Sequence, residues 1–312
     1  MPIPCILDCD PGHDDAIAIL LAAAHPGLEL RAITTVGGNA ALDKVTLNAR
    51  RVCTLAGIRG VPIAAGAEGP AGGTLEPAAD VHGESGLDGP ELPDPDVPLD
   101  PRRADELLVE VLTAAAEPVA VLATGPLTNV AAVLGRVDHS QIREIVWMGG
   151  STERGNRTPY AEFNAWVDPA AAAAVLDSGV PFTMVGLNLT HQARATPDVI
   201  ARIHAVETPL GETVAGWLEF FGSTYRTLFG ADAAPVHDPC AVALLADPAV
   251  VSCADVFMAV ETEGRWTGGA TVVDLRGRLR RPPNARVALE LDVGRFWDLV
   301  VDAVARLGRA GQ

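Results

Sequence analysis

Eight consecutive residues carry the densest chemistry in the chain. Asp8-Cys9-Asp10-Pro11-Gly12-His13-Asp14-Asp15 sets four carboxylates and an imidazole between a short apolar run and a longer one. Pro11-Gly12 turns the chain and places Asp14 and Asp15 in the first turn of the helix that follows, where backbone N–H groups and the helix dipole favour anions. One carboxylate there is an ordinary cap. Several at one strand end repel each other unless a cation offsets them. A hard divalent cation with oxygen ligands fits: calcium accepts carboxylates, carbonyls and waters in flexible geometry, whereas magnesium demands tighter octahedral order. In a regular strand Cys9 points away from Asp8 and Asp10, so a thiolate does not join the donor set.

A second segment repeats this logic. Val236-His237-Asp238-Pro239 opens a strongly apolar stretch, as His13-Asp14-Asp15 does, and aims a histidine and an aspartate from the head of a buried helix. Asp238 before Pro239 reads equally as a plain N-cap with proline at the first helical position. In a third segment, after Asn156, Glu162 and Asn164 alternate about Phe163, so both can face one side. Asp168 before Pro169 reads as an N-cap. His82-Gly83-Glu84-Ser85-Gly86 lies within a Gly/Pro/Asp-rich stretch from about 66 to 101, long for a plain connection and suited to a lid.

The elements that must position these groups alternate along the chain. Short continuous apolar runs (CILDCD, LRAITTV, VPIAAG, VAVLATG, EIVWMGG, PFTMVGL) are separated by longer helical patterns such as HDDAIAILLAAA and LDKVTLNARRVCTLAG. That is the pattern of βαβ units, and predicts an α/β fold with an open, mostly parallel but mixed sheet covered by helices on both faces, a Rossmann-like arrangement. In the final third, DVFMAVETEGRWTGGATVVDLRG and ARVALELDV read as short antiparallel strands, and FWDLVVDAVARLG as an amphipathic closing helix. No linker divides the chain, so residues 1–312 are read as one domain. Ligands of such sheets bind beyond the C-terminal strand ends. Those ends deliver Asp10, Gly37-Gly38-Asn39, Thr124-Gly125 and Met148-Gly149-Gly150 to one rim, which predicts a pocket there.

Composition narrows the partners. There are 23 basic and 40 acidic residues, a formal charge of −17. Such a surface repels phosphate backbones and anionic lipid, which argues against nucleic acid and membrane partners. Five cysteines, none in a CxxC pair, suggest reduced thiols and a cytoplasmic protein rather than a zinc ribbon or a disulfide framework. The N-terminus lacks the basic segment of a signal peptide, and no apolar run reaches membrane-spanning length.

Together DCDPGHDDAIAILLA, TTVGGN, ATGPLTNVA, WMGG, AEFNAWVDP, GLNLTHQA and VHDPCAVA, in this order over nearly the whole chain, resemble the nucleoside hydrolases of the inosine–uridine-preferring type. The resemblance implies hydrolysis of the N-glycosidic bond of ribonucleosides to ribose and free base, with a bound Ca2+. Carried over by motif, it implies that Asp10, Asp15, Asp238 and the backbone carbonyl of Thr124 hold the ion, and that Asp10 is the general base for the attacking water. Asp14 and Asn39 would hold the ribose 2′-hydroxyl and Asp238 the 3′-hydroxyl. Asn156, Glu162 and Asn164 would grip the 5′ end, with Met148 packing nearby. His237 would be the leaving-group acid, with His82 and Tyr225 brought by mobile segments (about 66–101 and 220–234) that close over the base. Homodimers or homotetramers are common in that family. His13 and Asn188 depart from its usual residues, and the two lid segments match it poorly, which leaves base preference open.

Two other readings are weaker. A haloacid-dehalogenase-type phosphatase also opens on an apolar strand ending in DxD, but this chain has Pro11-Gly12 next and a single lysine, Lys44, in the second helix. A calcium-dependent nucleoside or ribose sensor would have no use for both Asp10 and His237.

Overall fold

The computed structural model describes residues 1–71 and 73–310. Its strands are β1 (Ile3–Cys9), β2 (Leu28–Thr35), β3 (Ile63–Ala65), β4 (Val119–Ala123), β5 (Ile142–Met148), β6 (Phe182–Val185), β7 (Val251–Val256), β8 (Met258–Val260), β9 (Thr271–Val273) and β10 (Ala285–Leu291). Eight of them form one sheet in the order β3-β2-β1-β4-β5-β6-β10-β7. Every neighbouring pair is parallel except β10 with β7. The expected mixed, mostly parallel sheet is therefore present.

Alternate residues of β1 go to opposite faces, as the pleat requires. Cys5, Leu7 and Cys9 join a core with the helices His13–Ala24, Leu42–Leu55, Pro209–Phe229, Pro239–Ala246 and Val293–Ala310. Ile6 joins a second core with Ala104–Ala114, Thr128–Leu134 and Pro169–Asp177. Helix cover on both sides explains why the strands read as unbroken apolar runs.

The antiparallel strands expected in the final third are present: β10 (ARVALEL) pairs antiparallel with β7, and β8 with β9, while β10 also runs parallel to β6 and so lies inside the main sheet. The helices Pro197–His204 and Pro209–Phe229 are absent from the sequence reading. The second is capped by Thr208, whose hydroxyl accepts from the Gly211 N–H at 3.1 Å, starts on Pro209 and stops at Gly230 with φ +65°. Residues 220–229 of the proposed closing segment are thus the end of a 21-residue helix. The stretch 66–101 contains one helical turn, Ala79–His82. Among the described residues, no helix is long and apolar enough to cross a membrane.

Candidate active site

β1 ends between β2 and β4, so Asp10 emerges at the middle of the rim, flanked by the loops after both neighbours. Its Oδ2 accepts the Asn39 backbone N–H at 2.7 Å. Its Oδ1 is buried with no hydrogen-bond partner among the described residues. Gly38 and Gly125 make room for the carboxylate: a Cβ on Gly38 would stand 1.9 Å from Oδ2, and one on Gly125 2.7 Å from Oδ1. Asp15 accepts from the Gly12 N–H at 3.1 Å, the Thr124 hydroxyl at 2.8 Å and Asn39 Nδ2 at 3.2 Å. It therefore caps its helix and also binds across to the ends of β2 and β4. Oxygen atoms of Asp14, Asp15 and Asp238 lie within 4.8 Å of one another.

Asp10, Asp14, Asp15 and Asp238 are all buried. Among the described residues, no lysine, arginine or histidine forms an ion pair with any of them. Burial, and then the charge of Asp15, pushes the Asp10 carboxyl well above the usual range. Burial and the charge of Asp14 do the same to Asp238 and push Asp15 up to about 7. Without a counter-cation these groups would hold protons at neutral pH. The orphaned Asp10 oxygen and the all-oxygen donor set match what a hard divalent cation requires. Asp238 sits at an N-cap position before Pro239, yet its side chain makes no capping bond and remains available to such an ion.

Asp8 is set apart from this cluster. Thr34 and Asn129 donate to its Oδ1 at 2.5 and 2.8 Å, inside the sheet. Cys9 faces the core, as its place in the strand implied, with Sγ 3.6 Å from the Thr34 carbonyl.

Above the carboxylates lies a cavity of about 270 Å³. Asp14, Asn39, His82, Thr124, Met148, Asn156, Glu162, Asn164, Tyr225, His237 and Asp238, all singled out in the sequence, line it. Asp10 and Asp15 lie behind this lining, bonded to Asn39 and Thr124.

At one end of the cavity, Glu162 caps the helix Phe163–Val167 and accepts from the backbone N–H groups of Gly150, Asn164 and Ala165 at 2.8, 2.9 and 3.1 Å. Burial raises its carboxyl to about 7 against those bonds. Asn164 Nδ2 donates to the Thr124 carbonyl at 2.9 Å and the Met148 carbonyl at 3.0 Å, tying the ends of β4 and β5 together. Asn156 Oδ1 accepts the Phe163 N–H at 2.9 Å, which leaves its amide hydrogens for the cavity. Glu162 and Asn164 do share one side, through a helix N-terminus rather than through strand alternation.

At the other end, both ring nitrogens of His237 are engaged: Nδ1 lies 2.7 Å from the Thr190 hydroxyl and Nε2 3.2 Å from that of Tyr225. Burial, then the neighbouring His191, lowers its imidazole to about 3, so the ring is neutral at ordinary pH.

These features describe a sugar-sized polar floor with an imidazole opposite, and the comparisons with known proteins agree. The inosine-uridine preferring nucleoside hydrolase family model matches residues 5–298. The chain belongs to that family. As a nucleoside hydrolase it is 45% identical over 308 residues, 98% of this chain and 99% of the relative, to the pyrimidine-specific ribonucleoside hydrolase RihA of Photobacterium profundum. It is 46% identical, over 98% of its own length and 97% of the relative, to the RihA of a Shewanella species. Among solved structures, the purine-preferring ribonucleoside hydrolase from Gardnerella vaginalis superposes with a TM-score of 0.91 at 30% identity, covering 98% and 99% of the two chains.

Sequence reasoning missed Thr190, Asn129 and Arg157, and the aromatic residues Phe221 and Phe229 that line the cavity with Tyr225. The spacing 221, 225, 229 puts those three on one helix face, a signal present in the sequence once a helix is recognised there.

Proposed function

We propose that this nucleoside hydrolase is calcium-dependent and cleaves pyrimidine ribonucleosides in preference to purine ones, yielding ribose and free base. The observation that carries the metal reading is the convergence of Asp14, Asp15 and Asp238 oxygens within 4.8 Å of one another, beside an Asp10 oxygen buried without a partner, with no cation among the described residues to offset them. Asp10, Asp15, Asp238 and the Thr124 carbonyl would hold Ca2+. When bound, the ion supplies a fixed positive charge that offsets the aspartates and orients the vicinal ribose hydroxyls.

The remaining work falls to side chains. Asp10 takes a proton from the attacking water. Asp14 and Asn39 hold the 2′-hydroxyl and Asp238 the 3′-hydroxyl. Asn156, Glu162 and Asn164 bind the 5′ end, against Met148. The breaking C–N bond gives the sugar oxocarbenium character, which the acidic floor favours over the neutral ground state. With the Thr190 hydroxyl donating to Nδ1, the neutral His237 ring carries its hydrogen on Nε2. On substrate binding this N–H exchanges the Tyr225 hydroxyl for the departing base, and the hydrogen bond strengthens as negative charge develops there. His82 and Tyr225 complete the base side.

The pyrimidine preference rests on relatives named for that specificity at 44–46% identity along the whole chain. The same reading takes residues 1–312 as one domain whose segments 66–101 and 220–234 close over the base, acting as a homodimer or homotetramer. Five unpaired cysteines fit a reducing cytoplasm, and the charge of −17 fits a small neutral substrate rather than nucleic acid or membrane. Ribose release measured across uridine, cytidine, inosine, guanosine and adenosine is the test. Higher kcat/KM for uridine and cytidine supports the proposal, and higher values for the purines overturn the base assignment.

A further inference from the structure

We infer that Asn48 is a positioning residue: its one side-chain amide pins the loop 83–88, which follows His82, to the Pro11-Gly12 turn of the aspartate cluster. The wall that carries His82 then stands in place before substrate arrives. The inference rests on the proposed nucleoside site, where His82 serves the base side, and it makes residues 83–88 the fixed part of the closing segment 66–101.

Asn48 lies on the helix Leu42–Leu55 and is only 2% exposed. Its Nδ2 stands 3.0 Å from the Pro11 carbonyl and 3.0 Å from the Ser85 carbonyl. Carbonyls only accept, so both amide hydrogens are committed and the orientation of the amide is settled. The two acceptors belong to different segments, which the amide joins. One turn earlier on the same helix face, Lys44, the single lysine of the chain, donates from Nζ to the Glu84 carbonyl. Successive carbonyls of the loop are thus held by successive turns of one helix.

The loop itself is built to keep this shape. Every backbone N–H from Gly83 to Asp88 has an acceptor. Gly83 donates to the Ala79 carbonyl, Gly86 to that of Gly83 and Asp88 to that of His82. Glu84 and Ser85 donate to the Asp88 carboxylate, and Leu87 to the Ser85 hydroxyl, each at 3.1 Å. A Cβ on Gly86 would stand 2.9 Å from Ala40 Cβ and 3.3 Å from Asn48 Nδ2, so the loop comes this close only with glycine there, at φ +80°. Leu87 is buried in the core, and the Asp88 carbonyl lies 2.8 Å from Nε2 of His13. Open backbone groups and sparse apolar contacts mark segments that open easily, and this one has neither.

His82 is placed by the same arrangement. A Cβ on Gly12 would meet Nδ1 and Cε1 of His82 at 2.6 and 2.7 Å, so the ring packs on the turn whose carbonyl Asn48 holds. The loop therefore meets that turn twice, through the His82 ring and through Asn48. Asn48 stands outside the cavity lining, and its effect passes through the loop. With the amide removed, the free enzyme spends part of its time with His82 out of place. Apparent affinity falls by that fraction, while saturating substrate still selects the placed loop.

The test has an exchange arm and a kinetic arm. In the wild type without nucleoside, backbone amides of residues 83–88 should exchange hydrogen about 100-fold or more slowly than an unstructured chain. Exchange at the unstructured rate overturns the inference. In N48A, KM for uridine should rise about 10-fold, the scale of one buried hydrogen bond lost, with kcat within about 2-fold. Exchange should quicken in 83–88 and stay unchanged in the rest of the helix Leu42–Leu55. A lower Tm with unchanged kinetics would mean that Asn48 merely supports the fold, and a fall in kcat at constant KM would mean that it acts on chemistry; either overturns the assignment. K44M gives up the Glu84 carbonyl and leaves the Pro11 contact intact, so it should raise KM about 3-fold at constant kcat. Should N48A fail to fold, an unchanged KM in K44M overturns the inference. Absence of ribose release from any nucleoside by the wild type would instead refute the proposed function, and the exchange arm would still decide whether the loop is pinned.

Discussion

Asp14 Oδ2 accepts the backbone N–H of His237 at 3.1 Å, joining two helix N-termini that lie 223 residues apart. The bond links the aspartate cluster of the first βα turn to His237, tying together the two sides of the cavity proposed to hold ribose and base. In D14A that N–H loses its acceptor, a cost of about 1–3 kcal/mol for a buried group, and the 2′-hydroxyl loses its proposed partner. Steady-state assays should show kcat/KM for uridine down by about 100-fold or more. A loss under about threefold would show that neither role holds.

Removing the imidazole of His237 should matter in proportion to how much help the leaving group needs. H237A is expected to lose about 100- to 10,000-fold on uridine, the usual range for a positioned proton donor, and much less on 4-nitrophenyl riboside. Comparing kcat/KM on the two substrates checks this. Parallel losses would remove the residue from leaving-group assistance.

Gly38 tests the space around Asp10. An alanine Cβ would meet Oδ2 at 1.9 Å, so G38A must displace the carboxylate. A shift of about 1 Å at a reacting group costs on the order of 100-fold in rate. Calcium titration calorimetry and kcat should both deteriorate in G38A while the circular dichroism spectrum is retained.

The buried carboxyls also set a pH dependence. Asp10, Asp15, Asp238 and Glu162 are all raised above their unfolded values, Asp15 and Glu162 each to about 7. These groups give the native state more protons than the unfolded chain. The buried His82 and His237 rings, held down to about 3, bind protons only on unfolding and oppose that trend below about pH 6.5. Above it the carboxyls alone act, and the stability of metal-free protein falls as pH rises. Calcium bound by the ionised aspartates, as proposed, would oppose that fall. Thermal melts should show Tm of chelated protein declining from about pH 6.5 to pH 8, and a larger calcium-induced gain at the upper end than at the lower. A chelated protein whose Tm rises over the same range would contradict the burial of these groups as acids.

Much of the site was legible because a parallel sheet sends every strand end to one rim. Asp10, Asn39 and Thr124 follow β1, β2 and β4, Met148 ends β5, and their convergence needs only the strand pattern. What spacing could not show is which carboxylate turns inward. Asp8 stands two residues from Asp10, yet Asn129, 121 residues away, takes it into the sheet. Thr190 was equally hidden, since it matters through His237, 47 residues on. The helix Pro209–Phe229 is hard to read although Thr208, Pro209 and Gly230 mark both its ends: Gly211, Gly216 and Gly222 weaken its helical pattern, and burial of Val214, Trp217, Leu218 and Phe221 overrides that weakness. Tyr225 was reached only through the family resemblance.

The central claim is that distant aspartates converge on one hard cation without which the ribose is not bound for cleavage. Ribose release from uridine by chelator-stripped protein, followed through stepwise addition of Ca2+, tests it directly, with D10N alongside. The account predicts negligible turnover in stripped protein, recovery that saturates with calcium in the wild type, and none in D10N at any calcium concentration. Full activity in the stripped enzyme, or wild-type turnover in D10N, would contradict it.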